Sequence, residues 1–350
     1  MITNPTRQRA LRGHKPTRPT PRTANSADHQ AALAWRLTPR DRWIIRMLHE
    51  HRVLTSHQIT ALAFPSFRSG RQRLRELYQC SVLDRFQPHV TLGTAPMHYV
   101  PAPAGATILA AEHGLDIKDL GYRHDRAIGI AHSLRLAHTI GVNDWFTSLI
   151  TATYAGLSQS AVSAWWSETR CARHFGDLTK PDAYGRLTTP GREIEFFLEY
   201  DLGTEALPKL ANKLSGYAAL AQATAITTPL LIWLPTARRE TTARRLLHRT
   251  WRDLDHPHAV PIATAAADQL DPTAAHPSPA DTVWLPLDPT AVPSDNRTGR
   301  RALHRLLDCW PHIPPPLTGP TSPPDPTAPT MLAPPPPTPP TTARGNSTNR

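Results

Sequence analysis

The chain has 350 residues, including 38 prolines, with 39% hydrophobic residues and a formal net charge of +11. This length suits two modest domains with tails, and a strongly basic chain favours a polyanionic partner such as nucleic acid. The three cysteines show no CxxC spacing, which excludes a sequence-readable zinc site and argues against a disulfide framework.

The first 36 residues are basic and rich in proline and threonine, and no acidic residue precedes Asp28. Such a composition cannot form a core, so residues 1–36 are predicted to be a disordered basic arm. An arm that contacts nucleic acid and a solvated tail both remain open. The arm lacks the apolar run of a secretion signal, and the most apolar stretch of the chain is too short to cross a bilayer. We therefore expect a cytoplasmic protein without a membrane partner.

Residues 37–121 have the pattern of a winged helix-turn-helix domain. Thr38 and Pro39 mark the start of the first helix, as a cap followed by a proline at the first helical position. A short second helix follows, with Thr55 or Ser56 as its cap, and a third helix opens at Ser69. Two wing strands and a closing helix are predicted over 82–86, 98–100 and 104–113.

One side of the third helix is apolar, and the other side is rich in arginine. The arginines are Arg68, Arg71, Arg73 and Arg75. A recognition helix has one buried stripe and an opposite stripe that reaches phosphates and guanine edges. These four residues are therefore the candidate DNA-binding residues, and double-stranded DNA is the predicted partner. The alternatives are a small helical domain whose arginines only keep it soluble, and a protein-docking module.

Residues 125–290 alternate helices and strands. The predicted order is a helix over 134–154, strands over 161–167, 180–187 and 193–201, a helix over 205–222 and a buried strand over 228–234. In the third strand, alternation places Glu199 and Asp201 on the face opposite Tyr200. In the helix that follows, Lys209 and Lys213 are four residues apart and share a face.

This order of elements, with Asp182 opening the second strand and Glu199 near the end of the third, resembles the core of the PD-(D/E)xK nuclease superfamily. The resemblance implies that Asp182 and Glu199 are metal ligands for Mg²⁺ in an α/β domain, so that the whole chain is α+β. Where the superfamily has a lysine, this chain has Asp201. Three explanations remain open: Lys209 or Lys213 supplies the cation, Asp201 is a third ligand, or the site is inactive. The alternative to any site is an edge strand with a solvated acidic face.

Short motifs between Leu37 and Trp251 carry a narrower resemblance. They are Leu37-Thr38-Pro39-Arg40-Asp41, 54–59, 73–77, His138 with 143–146, Lys180-Pro181-Asp182, 197–201 with 203–205, and Lys213-Leu214 with Tyr217. Together they resemble the replication-relaxation proteins of actinobacterial plasmids and integrative elements. That resemblance implies a role in replication or DNA relaxation.

Residues 311–350 are dominated by proline, threonine and serine, and are predicted to be a disordered, polyproline-like tail. The predicted function is that of a DNA-binding accessory protein of a mobile element, with metal-dependent DNA cleavage left open. The alternative is a non-enzymatic transcriptional or copy-number regulator with an inactive nuclease-like domain. A second copy of the chain, or replication and transfer proteins of the element, are the further partners considered.

Overall fold

The structure is a computed structural model that describes residues 2–4, 6–14, 22–90, 93–156, 160–288, 299–314 and 331–340. It has the mixed α+β composition that the sequence predicts. Two compact units are present: an N-terminal unit of Arg12–Ser133 with Thr327–Arg350, and a C-terminal unit of Leu134–Pro326 with Met1–Leu11. Within the described ranges, no helix is both long enough and apolar enough to span a membrane.

The N-terminal unit combines helices with short strands. The helices are α1 (Ala27–Arg36), α2 (Pro39–His51), α3 (Ser56–Ala63), α4 (Phe67–Gln79), α5 (Pro103–Glu112) and α6 (His124–Gly129). The strands are β1 (Arg12–His14), β2 (Leu54–Thr55), β3 (Leu83–Phe86), β4 (Pro88–His89) and β5 (His98–Pro101). Strands β2, β5 and β3 form an antiparallel sheet in that order, and β1 pairs with β4.

Polar side chains start the helices of this unit. Thr38 and Thr55 each accept a hydrogen bond from the backbone N–H three residues later, so they cap α2 and α3 as the sequence predicts. Helix α4 begins at Phe67 rather than at Ser69. The reason is that Ser66 is its cap, with the side-chain oxygen of Ser66 accepting from the backbone of Ser69 at 3.2 Å.

Helices α3 and α4 pack closely, joined by the short segment 64–66. A Cβ atom added at Gly70 would lie 2.5 Å from Oγ1 of Thr60, so the approach of the two helices requires a residue without a side chain. The same side of α4 continues into the core of the unit. Its buried residues include Leu74, Leu77 and Tyr78, the three that the sequence predicts.

The structure corrects the predicted disorder of residues 1–36. Helix α1 occupies Ala27–Arg36, capped by Ser26, whose side-chain oxygen accepts from the backbone of the third helical residue at 3.2 Å. Leu33 is buried on the inner face of α1. His29 is buried as well, with its Nε2 2.8 Å from the carbonyl oxygen of Cys80. The cap and these two buried residues anchor the helix, and the average composition of the arm does not show them.

The C-terminal unit is built around a six-stranded sheet. Its helices are α7 (Leu136–Tyr154), α8 (Glu168–Phe175), α9 (Leu207–Thr224) and α10 (Ala237–Arg252). Its strands are β6 (Ala161–Ser167), β7 (Ala183–Thr189), β8 (Arg192–Tyr200), β9 (Leu230–Leu234), β10 (Ile262–Ala266) and β11 (Leu285–Pro286). They lie in the order β11-β10-β9-β8-β7-β6; β8, β9 and β10 are parallel neighbours and the remaining pairs are antiparallel.

Helices cover both faces of this sheet. On one face, α7 packs the ring of Phe146 against Trp165 with a centroid distance of 4.9 Å and the ring of Trp145 against Phe196 at 5.7 Å. On the other face, Phe197 packs with the buried apolar residues of α9 and α10. Because adjacent residues of a strand point to opposite faces, β8 contributes to both cores.

The limits of the C-terminal unit differ from the predicted range 125–290. The unit begins at Leu134 and includes Gln8, whose side-chain oxygen accepts from the backbone N–H of Ala137 at 2.8 Å in the first turn of α7. It also includes residues after 298, where Trp310 is buried. Both segments lie outside the predicted range because their composition is polar or rich in proline, although single residues in them contact the unit or are buried in it.

Part of the predicted tail 311–350 is ordered as well. Residues 331–340 belong to the N-terminal unit, and Pro335 and Pro337 are buried there. Disorder is therefore the wrong prediction for this segment, because proline rings bury apolar surface at a small entropic cost. Outside the described residues lie 315–330 and 341–350 of the tail and Lys15 and Arg18 of the arm.

A buried ion pair ties α2 to α4 and generates a stability prediction. Asp41 accepts hydrogen bonds from Nε of Arg73 at 3.0 Å and from the backbone N–H of Thr38 at 2.8 Å. We expect Asp41→Ala to lower the free energy of unfolding of the N-terminal unit by about 3 kcal/mol, because it breaks the pair and the cap together. Thermal melts followed by circular dichroism measure the change. Arg75→Ala, on the exposed side of α4, is the control and should have an effect within about 0.5 kcal/mol.

The same pair should make this stability depend on pH. Burial alone would raise the pKa of Asp41, but hydrogen bonds from Arg73 and Thr38 outweigh it and lower the pKa. The stabilisation is therefore present above the ordinary aspartate pKa and is lost as the pH falls through the lowered value. The difference between wild type and Asp41→Ala should shrink in acid; a constant difference would contradict the role given to the ionised carboxylate.

Candidate functional site

Two buried carboxylates lie side by side at one end of the antiparallel pair β7 and β8, where β7 begins and β8 ends. Asp182 directly precedes β7, and its backbone N–H already donates to the carbonyl oxygen of Leu198 in β8 at 3.1 Å. Glu199 is the penultimate residue of β8. The register that pairs Ala183 with Leu198 puts Asp182 next to Glu199. Their exposed fractions are only 6% and 1%.

Asp182 is held by a histidine and by the backbone. Its Oδ2 lies 3.0 Å from Nε2 of His138 and accepts from the backbone N–H of Tyr200 at 2.8 Å. Burial would raise the pKa of Asp182, but the charge and hydrogen bond of His138 outweigh it and lower the pKa. Burial likewise would lower the pKa of His138, and Asp182 raises it instead. The pair therefore favours an aspartate with a protonated imidazole.

The position of His138 depends on how closely α7 approaches the sheet. A Cβ atom added at Gly141, one turn after His138, would lie 2.5 Å from Cε1 of Tyr200. The ring of Tyr200 also contacts the imidazole of His138 edge-on, with 6.0 Å between centroids. Glycine at position 141 thus allows α7 to bring His138 to Asp182.

Glu199 is held by two residues of α9. Nζ of Lys213 donates to its Oε2 at 2.6 Å, and the hydroxyl of Tyr217 donates to its Oε1 at 2.6 Å. Burial, and then the negative charge of Asp182, raise the pKa of Glu199 to about 7 against the opposing effects of Lys213 and Tyr217. The pKa of Lys213 is raised because the attraction of Glu199 and Asp182 outweighs burial.

Two residues that the sequence groups with this site have other contacts. Asp201 forms an ion pair with Nε of Arg239 in α10 and accepts from the backbone N–H of Gly203 at 2.7 Å. Lys209 pairs with Glu205 at 3.1 Å, and 75% of its side chain is exposed. The structure brings Lys213, one turn further along α9, to the carboxylates instead. Neither Asp201 nor Lys209 contacts Asp182 or Glu199 among the interactions described above.

The arginines of α4 divide into two kinds. Arg73 faces α2, where its Nη2 lies 2.6 Å from Oδ2 of Asp41, and its Nη1 lies 2.7 Å from Oε2 of Glu76. The exposed arginines are Arg68, Arg71 and Arg75. Residues three and four apart share one face of a helix, so these three form a single basic stripe. Arg73 stabilises the unit and does not belong to that stripe.

The carboxylate pair could hold Mg²⁺. This ion binds through one or two carboxylates and keeps several waters. Burial is the main cause of the raised pKa of Glu199, and the negative charge of Asp182, which a bound cation would offset, is the second. The part of the chain that the structure describes has no group of three or more His, Cys, Asp or Glu residues able to hold a metal. Asp182 and Glu199 would supply the one or two carboxylates of a water-completed Mg²⁺ site, whereas an all-protein cage would need further ligands.

His138, Tyr217 and Arg135, whose Nη2 lies 3.6 Å from Oδ1 of Asp182, are site residues that the sequence did not identify as functional. Tyr217 follows Lys213 by four residues, so helical periodicity alone places both on one face of α9. His138 precedes Asp182 by 44 residues, and no spacing connects them. The available signal for His138 was its presence among the motifs of the family resemblance.

One comparison with known proteins gives a match. The family model described as Replication-relaxation matches residues 45–231, which is more than half of the 350 residues. The match extends from within α2 to within β9, and so includes both the basic stripe of α4 and the carboxylate pair. No curated protein and no solved structure matches the chain.

The electrostatics of the site generate a titration prediction. In metal-free protein kept in EDTA, we expect the side-chain carboxyl of Glu199 to titrate at about 7, measured by ¹³C NMR of protein labelled at glutamate. Asp182→Asn should lower this pKa by removing a negative neighbour, and Lys213→Met should raise it. Glu199→Gln identifies the resonance. A pKa near the ordinary value of 4.5 would contradict the coupling of the two carboxylates.

The sign of the stability effect follows from the same shift. Because the folded pKa lies above the ordinary 4.5, protonation of Glu199 stabilises the fold, fully so below pH 4.5. That contribution is lost as the pH rises through about 7. Thermal melts should therefore show wild type losing stability relative to Glu199→Gln across this range. If wild type instead gained stability relative to Glu199→Gln over this pH range, the pKa of Glu199 would not be raised in the folded protein.

Proposed function

The chain belongs to the replication-relaxation family, and from that membership we propose that it is a DNA-binding accessory protein in the replication or relaxation of mobile elements such as plasmids. In this proposal the N-terminal unit binds duplex DNA and the C-terminal unit hydrolyses a phosphodiester bond. The convergence of Asp182, Glu199 and Lys213 is the observation that carries the enzymatic part.

The N-terminal unit would act as a winged helix. The support is its order of elements: α2, α3 and α4, then the antiparallel pair β3 and β5, with β2 completing the sheet. Helix α4 would be the recognition helix, because one face is buried and the other carries the basic stripe. Arg71 and Arg75 would contact phosphates or base edges. An exposed guanidinium can make either contact, so the two roles could be exchanged.

The C-terminal unit would be a PD-(D/E)xK-like domain. Helix α7, the antiparallel strands β6, β7 and β8, helix α9 and the parallel strand β9 follow in the expected order. The lysine of the motif would come from α9 as Lys213, since position 201 is an aspartate paired with Arg239. This assignment explains the departure at position 201 without requiring a third acidic ligand.

Hydrolysis at this site would require metal ligands, a positive charge near the phosphate, and side chains that orient the two carboxylates. Asp182 and Glu199 would hold Mg²⁺, which when bound neutralises phosphate charge and lowers the pKa of a coordinated water. Lys213 supplies a positive charge beside the carboxylates, where a phosphate oxygen would be attracted. His138 orients Asp182 through its hydrogen bond, and Tyr217 orients Glu199.

A specific observation also supports a second candidate, a regulator that binds DNA without cutting it. Each carboxylate already has a cationic neighbour, His138 for Asp182 and Lys213 for Glu199. Such a site is balanced in charge without a metal, as expected of a nuclease-like fold that only binds. One cleavage assay separates the two candidates.

Supercoiled plasmid incubated with the protein should be nicked in Mg²⁺ or Mn²⁺ and remain intact in EDTA. Asp182→Asn and Glu199→Gln should abolish nicking, because each removes a proposed metal ligand. Lys213→Met should slow it by about 100-fold or more, because it removes the positive charge that would stabilise the transition state. Gel electrophoresis of the plasmid forms gives the rates.

Lys209→Met is the matched control, since it removes the same charge one turn earlier on α9 from an exposed side chain; it should leave nicking unchanged. If wild type never nicks but still shifts duplex DNA, the regulator is correct. Equal activity of wild type and Lys213→Met would refute the assigned lysine.

Duplex binding should depend on the basic stripe. We expect affinity to fall steeply with salt, and Arg71→Ala with Arg75→Ala to reduce the slope of log K against log [salt] by about 2, because each phosphate contact contributes about 0.9. Fluorescence anisotropy of a labelled duplex at several salt concentrations measures the slope. Arg126→Ala, an exposed arginine on α6, serves as the charge-matched control. Binding that ignores salt would refute the proposed surface.

A further inference from the structure

The segment 331–340 lies against the N-terminal unit although it has no helix or strand of its own. Four consecutive prolines, 334–337, form its centre. Pro335 and Pro337 are buried, whereas Pro336 between them is exposed. The segment therefore has an inner and an outer side, as expected of a bound peptide.

Hydrogen bonds join the segment to one face of α2. The indole N–H of Trp43 donates to the carbonyl oxygen of Pro336 at 2.7 Å. Nη2 of Arg46 donates to the carbonyl oxygen of Ala333 at 3.5 Å, a longer contact. The two donors are three residues apart in a helix, so they share a face.

The two acceptors have the spacing expected of one side of a polyproline helix. A polyproline helix has three residues per turn, so carbonyl groups three residues apart point the same way. Ala333 and Pro336 are separated by that interval, and they meet the donors in reverse order along the chain. A shift of one residue would turn both carbonyls away from Trp43 and Arg46.

The chemistry of this contact selects proline-rich ligands. Proline has no N–H, its ring fixes φ, and an extended proline run loses little entropy on binding. Aromatic side chains that pack on proline rings, with a donor to a proline carbonyl, are the common means of recognising such sequences. Trp43 is 3% exposed and provides the donor to a proline carbonyl.

We propose that α2 carries a recognition site for proline-rich peptides and that residues 331–340 of the same chain are its resident ligand. This binding site is separate from DNA binding and from the carboxylate pair, and it stands even where those proposals fail. A covalently attached ligand acts at an effective concentration of the order of millimolar, so the tail fills the site against weak competitors in solution.

Removal of the tail should open the site to a peptide added in solution. A fluorescein-labelled synthetic peptide of residues 331–340 is titrated with a chain that ends at residue 326 and, in parallel, with the full chain, and anisotropy reports binding. We expect the shortened chain to bind the peptide at least about tenfold more tightly than the full chain, because the attached tail competes.

Matched variants test the contacts themselves. In the shortened chain, Trp43→Phe keeps an aromatic ring but loses the indole N–H, and should weaken peptide binding about fivefold to tenfold. Trp35→Phe, at a tryptophan that is 92% exposed on α1, should leave it unchanged. A peptide with serine at the positions of Pro335 and Pro337 should not bind.

Circular dichroism first establishes that the shortened chain is folded; if it is not, the full chain with Pro335→Ser and Pro337→Ser takes its place. No binding to either folded protein, equal binding by the unaltered full chain, or equal binding by Trp43→Phe would each overturn the proposal. Sedimentation tests the same-chain assignment. A dimer that dissociates on substitution of the two prolines would show that the tail belongs to a second copy.

Discussion

Burial of two neighbouring carboxylates is the constraint on which the C-terminal unit depends. A buried carboxylate is costly unless hydrogen bonds and opposite charges compensate for lost water. Asp182 obtains its partner, His138, from α7 on one face of the sheet, and Glu199 obtains Lys213 and Tyr217 from α9 on the other. Helices on both faces of the sheet therefore contact the same end of the β7–β8 pair. The residues that make the carboxylates tolerable are also the residues that could orient them for chemistry.

The N-terminal unit uses one residue type for two purposes. Arg73 satisfies the buried carboxylate of Asp41 and links α2 to α4. Arg71 and Arg75 remain exposed on the other side of α4. There, ion pairs with other surface residues contribute little free energy, whereas contacts with a polyanion contribute much more. Stability and the proposed recognition of DNA therefore fall on opposite sides of one helix. Trp43 of α2 has a third purpose, as a donor to the proline segment.

Much of this architecture could be predicted from the sequence because local patterns carry it. Caps at Thr38 and Thr55, and alternation along the strand that ends at Tyr200, depend on residues only a few positions away. The choice between Lys209 and Lys213 could not be predicted in that way. Both share a face of α9, and only the distance of each helical turn from Glu199 separates an exposed cation from a buried partner.

Patterns along the chain are enough to establish the α+β composition, the positions of most helices and strands, and membership of the replication-relaxation family. Three contacts become apparent only in the folded chain: His138 with Asp182, Arg73 with Asp41, and Trp43 with Pro336. Those contacts join residues tens to hundreds of positions apart. They form only when sheets and helices pack, because the requirement to pair buried charges and donors then selects among residues that look alike in sequence.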